Sequence, residues 1–112
     1  MRINERRTGE IAVLALSGRL TVNDQPGMLK DAVVTAVQDG AKHVLLDLSG
    51  VQYIDSTRLG EIIAAHITVT RHGGRLRLVG TPERITELLA IAGLEGVFER
   101  FATTEDASKQ LP

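Results

Sequence analysis

The sequence predicts an α/β domain with a mixed, mainly parallel sheet of four to five strands and about four helices packed mostly on one side. Three observations carry that expectation. Short apolar runs of strand length alternate with segments whose apolar residues recur at helical spacing. Glycines, or a Thr-Pro pair, stand at most of the changes between them. The 112 residues, 43% hydrophobic and 24% charged, suffice for one core, so a single domain over residues 1–112 is expected.

Residues 11–16 form a continuous apolar run bounded by Gly9 and Gly18, which predicts a strand covered on both faces. An edge strand is expected at residues 2–7. Asn23, Asp24, Pro26 and Gly27 make a turn before a helix start; Leu29, Ala32, Val33, Ala36 and Val37 then repeat as one apolar stripe until Gly40. Residues 43–48 predict a second buried strand, with a loop over 49–54. Leu59, Ile62, Ile63 and Ile67 fall at helical spacing, so a helix runs from near Ser56 to about Arg71 and stops at Gly73 and Gly74. Residues 75–79 alternate Arg and Leu before Val, a strand with one wetter face. Thr81 and Pro82 read as N-cap and first helical residue. Ile85, Leu88, Leu89 and Ala92 form the next stripe, ended by a Schellman stop at Gly93 and Leu94. A short strand over 97–101 follows. Thr103, with Asp106 three residues on, opens a last helix that frays toward Pro112.

Lys plus Arg number 13 against 14 for Asp plus Glu, a net charge of -1 that argues against a protein built to grip phosphate backbones. With no cysteine, disulfides, thiolate metal sites and cysteine nucleophiles are excluded. The opening residues Met1 to Arg7 lead into no apolar signal region, and no apolar run approaches ~20 residues, so a cytoplasmic domain without membrane insertion is expected. Aromatics are 3% of the chain (Tyr53, Phe98 and Phe101), too few for a surface that stacks bases or sugars.

The informative segment is Asp47-Leu48-Ser49-Gly50-Val51, then Tyr53-Ile54, then Asp55-Ser56-Thr57 and Leu59-Gly60. Asp55, Ser56 and Thr57 are short oxygen side chains where a helix begins, and taken alone they read as a cap. The whole segment resembles the STAS domain family of bacterial anti-sigma factor antagonists. That family has an apolar strand ending Asp-Leu-Ser/Thr-x-Val, an aromatic or apolar pair, then Asp-Ser-Ser/Thr-Gly-Leu-Gly. Gly18-Arg19-Leu20, Gly73-Gly74 and Ile91-Ala92-Gly93-Leu94 with Val97-Phe98 extend the likeness over nearly the full length.

The resemblance implies a STAS-like fold and a function. The serine after the aspartate, here Ser56, would be phosphorylated by a partner that is both serine kinase and anti-sigma factor, and a phosphatase would reset it. The unmodified domain binds that partner and frees the sigma factor; the phosphorylated form lets go. Asp55 would cap the helix and position the serine. Thr57, Arg58, Gly60 and Glu61 would form the helix part of the partner-binding face, with Asn23 and Asp24 from the neighbouring turn. The partner kinase holds the ATP, so no cofactor is expected here; a homodimer stays open, and direct nucleic-acid contact is not expected. Arg58 departs from the family glycine. It either stiffens the first turn, or brings a cation that alters docking or pairs with a phosphate on Ser56.

Other readings are weaker. A hydrolase would need a base beside Ser56, yet no Gly-x-Ser-x-Gly elbow exists and nothing places His43, His66 or His72 there. No catalytic or metal residues are therefore assigned. Nucleotide binding lacks a phosphate-loop fingerprint, and Arg71, His72, Arg75, Arg77 and Arg84 read as a solvated basic face. The main alternative is a non-switching scaffold module in a stress-signalling or membrane-transport assembly.

Overall fold

The computed structural model describes residues 1–20, 27–109 and 111. Five strands form one sheet in the order β1-β2-β3-β4-β5. They are β1 (Arg2–Thr8), β2 (Ile11–Leu20), β3 (His43–Ile54), β4 (Leu76–Val79) and β5 (Glu99–Phe101). The first two pair antiparallel across a two-residue hairpin, Thr8 opposite Ile11, and every later pair is parallel. The helices are α1 (Met28–Gln38), α2 (Ser56–Arg71), α3 (Glu83–Ile91) and α4 (Thr104–Ser108).

Strand periodicity sorts the helices. Leu14, Leu16, Val44, Leu46, Leu48, Leu76 and Leu78 point to one face, where they join Leu29 and Val33 of α1, Ile62 and Val69 of α2, and Ile85 and Leu89 of α3. The alternate residues Val13, Leu45 and Val79 face the other way and meet Ala107 of α4, with Ile11 and Phe101 at the margin. Three helices therefore share one face and the short C-terminal helix covers part of the other.

Two strands run longer than the sequence suggests. Gly18 does not end β2; with a φ of 94° it sits in an irregular ladder that continues to Leu20. Opposite it, residues 49–54 are strand, because Gly50, Val51, Tyr53 and Ile54 pair with Ser17, Gly18, Arg19 and Leu20. Register shifts in this ladder absorb the extra residues of β3 while Val51 and Ile54 stay buried.

The expected wet face of β4 is dry. All four of its residues are buried, including Arg77 at 6% exposure. The Arg77 guanidinium donates to the carbonyls of Ala107 and Lys109, both at 3.0 Å, where α4 ends and its carbonyls lack helical partners. Glu99 lies at 3.4 Å and the Phe101 ring centroid at 5.1 Å. A cation thus clamps α4 to the sheet.

Helix ends follow the sequence closely, with one exception. At Gly93, φ is 72° and Leu94 N–H donates to the Leu89 carbonyl at 2.8 Å, a Schellman closure. Thr103 Oγ1 accepts from Asp106 N–H at 3.1 Å and caps α4. Pro82, however, is the N-cap of α3 rather than its first helical residue: its ψ is 147°, and its carbonyl accepts from Ile85 and Thr86 at 3.0 Å. The fraying expected toward Pro112 lies outside the described residues.

Both sheet edges are short of apolar surface. β1 presents Arg2, Glu5, Arg6 and Arg7, all exposed, and β5 is three residues long.

Candidate functional site

The site is the junction where β3 hands over to α2. Asp55 is extended, with φ -96° and ψ 175°, and its Oδ1 accepts from the Arg58 N–H at 2.9 Å. Its carbonyl accepts the first helical bond, from Leu59 N–H at 3.0 Å. Its own N–H donates to the Leu20 carbonyl at 3.0 Å, so the last residue of β2 fixes where α2 begins. Ile54 before the cap and Leu59 after it are both buried in the same core, the spacing of a hydrophobic staple. Every one of these restraints acts on backbone beside Ser56.

Ser56 is the first residue of α2, and it is exposed, as are Thr57 and Gly60. Nothing lies within 4 Å of the point where a Cβ on Gly60 would stand. The helix N-terminus carries partial positive charge and N–H groups without helical partners, a favourable setting for an anionic group on the serine hydroxyl.

Arg58 behaves differently. It is 1% exposed and its guanidinium pairs with Glu61 one turn on. The cation is turned into the fold rather than laid over Ser56. Glu61 is half-buried, and its Oε1 is shielded from solvent without a hydrogen bond. The structure therefore brings Asp55, Ser56, Thr57 and Gly60 together at one surface, and sends Arg58 inward with Glu61 beneath. Asn23 and Asp24 lie outside the described residues.

The histidines are committed elsewhere. His43 is buried and its Nδ1 accepts from Arg75 N–H at 3.0 Å; His66 packs edge-on against Phe98 at 5.1 Å; His72 Nδ1 is 2.8 Å from the Thr68 carbonyl. Among the described residues no group of three or more His, Asp or Glu is placed to hold a metal ion. The expected basic face also breaks up. Arg77 is inside, Arg75 is 3.4 Å from Glu99, and Arg84 stands over Tyr53.

A family model described as Mlab, STAS domain matches residues 3–100. The chain belongs to the STAS domain family. An anti-sigma-B factor antagonist of Bacillus subtilis (strain 168) is 31% identical to this STAS domain over 90 residues, 80% of this chain and 81% of the relative. The anti-sigma-B factor antagonist of Listeria monocytogenes is 29% identical over 99 residues, 88% of this chain and 85% of the relative. Among solved structures, the anti-sigma factor antagonist SpoIIAA in its unphosphorylated form matches with a TM-score of 0.79 at 20% identity, over 95% of this chain and 92% of that one. That likeness concerns the fold. No helix among the described residues of the STAS domain is long and apolar enough to cross a membrane.

Sequence reasoning missed one grouping near the junction. Arg19 of β2 has its guanidinium carbon 4.7 Å from the Tyr53 ring centroid, and Arg84 of α3 has its own at 6.0 Å. Tyr53 was legible as part of the family's aromatic pair; the two arginines, far apart in sequence, carried no signal of their own.

Proposed function

We propose that this STAS domain is an anti-sigma factor antagonist. It binds, in the cytoplasm, an anti-sigma factor that is also a serine kinase; phosphorylation of Ser56 ends the complex and a phosphatase restores it. The reading is supported by family membership and by the names of its curated relatives. The observation that carries it is the exposed Ser56 on the first turn of α2, held directly behind the Asp55 cap.

The physical chemistry favours a switch of binding over a switch of fold. A phosphate adds about -1.5 to -2 charges and strong acceptors at that point. At a helix N-terminus it sits in a favourable field, so the domain keeps its structure. Inside a partner interface the same charge meets desolvation and like-charge contacts, and ~2.8 kcal/mol of such cost lowers affinity about a hundredfold. Thr57, Gly60 and the Asp55–Ser56 junction supply the surface around it; Arg58 and Glu61 support it from below, and Asn23 and Asp24, which lie outside the described residues, complete the proposed partner-binding set.

The test uses the purified cognate anti-sigma factor, with binding followed by calorimetry and phosphate incorporation by mass spectrometry. Ser56→Ala is expected to bind and to lose labelling; Ser56→Glu is expected to bind at least tenfold more weakly. Equal labelling of wild type and Ser56→Ala refutes the assignment. A non-switching scaffold is the second reading, favoured by Arg58 at the family's glycine position. It predicts partner binding with no labelling of Ser56.

A further inference from the structure

We propose that the Arg19–Tyr53–Arg84 cluster is a second anchor of the partner-binding face and that it receives a carboxylate of the anti-sigma factor. The proposal rests on the antagonist reading above and adds the chemistry of the partner. Arg19 lies opposite Tyr53 in the β2–β3 ladder, and Arg84 reaches the same ring from the first turn of α3. Their guanidinium carbons stand 4.7 and 6.0 Å from the ring centroid. Both arginines are exposed, and among the described residues neither makes an ion pair.

Two like charges beside one ring repel each other, and each is attracted only by the ring's quadrupole. A carboxylate bound within reach of both would be drawn to each and would offset that repulsion. The cluster also sits at the carboxyl ends of parallel strands, where α/β sheets bind their ligands. Tyr53 is three residues before Ser56, a span of about 11 Å at full extension.

The occupant is a protein side chain rather than a small polyanion. The shallow depression beside Arg84 is lined by Glu83 and Glu87 as well as Leu88 and Ile91. Those two carboxylates repel any anion laid in the depression and so confine the partner's carboxylate to the Arg19–Tyr53–Arg84 side, while Ile91, at 83% exposure, offers apolar contact that a polyphosphate has no surface to use. Tyr and Arg anchors beside an apolar contact are the usual composition of a protein interface. Release then acquires a cause: a phosphate on Ser56 stands near the partner's bound carboxylate and repels it.

The experiment measures affinity for the fluorophore-labelled cognate anti-sigma factor at low and moderate salt. It compares wild type, Arg19→Gln/Arg84→Gln, and the control Arg71→Gln/Arg100→Gln, which removes equal charge from exposed positions elsewhere. All four arginines are exposed, and thermal melts confirm folding. Loss of ten-fold or more in affinity, with weaker salt dependence, is expected for the Arg19/Arg84 variant and less than two-fold for the control. Affinity of the Arg19/Arg84 variant within two-fold of wild type, or a loss equal to the control's, overturns this proposal and leaves the antagonist reading intact. Failure of wild type to bind removes the antagonist reading and the proposal together.

Discussion

Glu61→Gln probes the least ordinary feature of the junction. The substitution keeps shape and removes the negative charge that Glu61 sets against the Arg58 guanidinium, 2% exposed in its side chain. Breaking a buried ion pair from one side costs ~3–5 kcal/mol. The Glu61 side chain is 14% exposed, and glutamine keeps an oxygen that can accept from Arg58, so the lower figure is reduced to ~2 kcal/mol. For a domain of this size that is about 8 °C in Tm. Urea denaturation followed by circular dichroism measures it, with the slope unchanged if only stability moves. Arg58→Met in the wild-type and Glu61→Gln backgrounds completes a double-mutant cycle, with an expected coupling of ~1 kcal/mol or more. A Glu61→Gln loss below ~0.5 kcal/mol, with coupling under ~0.3 kcal/mol, refutes the pairing as a structural element.

Other substitutions test the surrounding framework. Asp55→Ala removes the side-chain cap on Arg58 N–H and is expected to cost ~1 kcal/mol, with faster hydrogen exchange confined to the first turn of α2. Gly60→Ala, placed where an added Cβ meets nothing within 4 Å, is expected to raise stability by ~1 kcal/mol in thermal melts. Gly74→Ala is the opposite case: its Cβ would fall 1.6 Å from the Lys42 carbonyl oxygen, and loss of folded protein is the expected result in expression and melting trials. Arg77→Met withdraws the clamp on Ala107 and Lys109 and is expected to cost ~2 kcal/mol, with limited proteolysis cutting first near α4.

What could be read from the sequence was local. The side-chain cap of α2 and the stop at Gly93 are made by residues a turn apart, so the chain declares them directly. What escaped depended on distant neighbours. Ser49-Gly50 has turn chemistry, yet β2 alongside holds residues 49–54 in the ladder. Arg75-Leu76-Arg77-Leu78 looks half wet until α4 arrives from about thirty residues later and covers Arg77. Arg58 offered a choice between helix former and surface cation, and burial with Glu61 decides for neither alone: the guanidinium is an internal prop. Ser56 was legible through its motif, but its exposure is a property of packing.

The borders of the sheet narrow the ways in which another protein can take hold. A guest strand would have to hydrogen-bond alongside Arg2, Glu5, Arg6 and Arg7, whose charges must keep their water, or alongside a β5 of only three residues. Neither border invites extension by an incoming chain. The proposed modification site lies instead at a helix end, where adding one covalent group can change a fit without disturbing the backbone ladder.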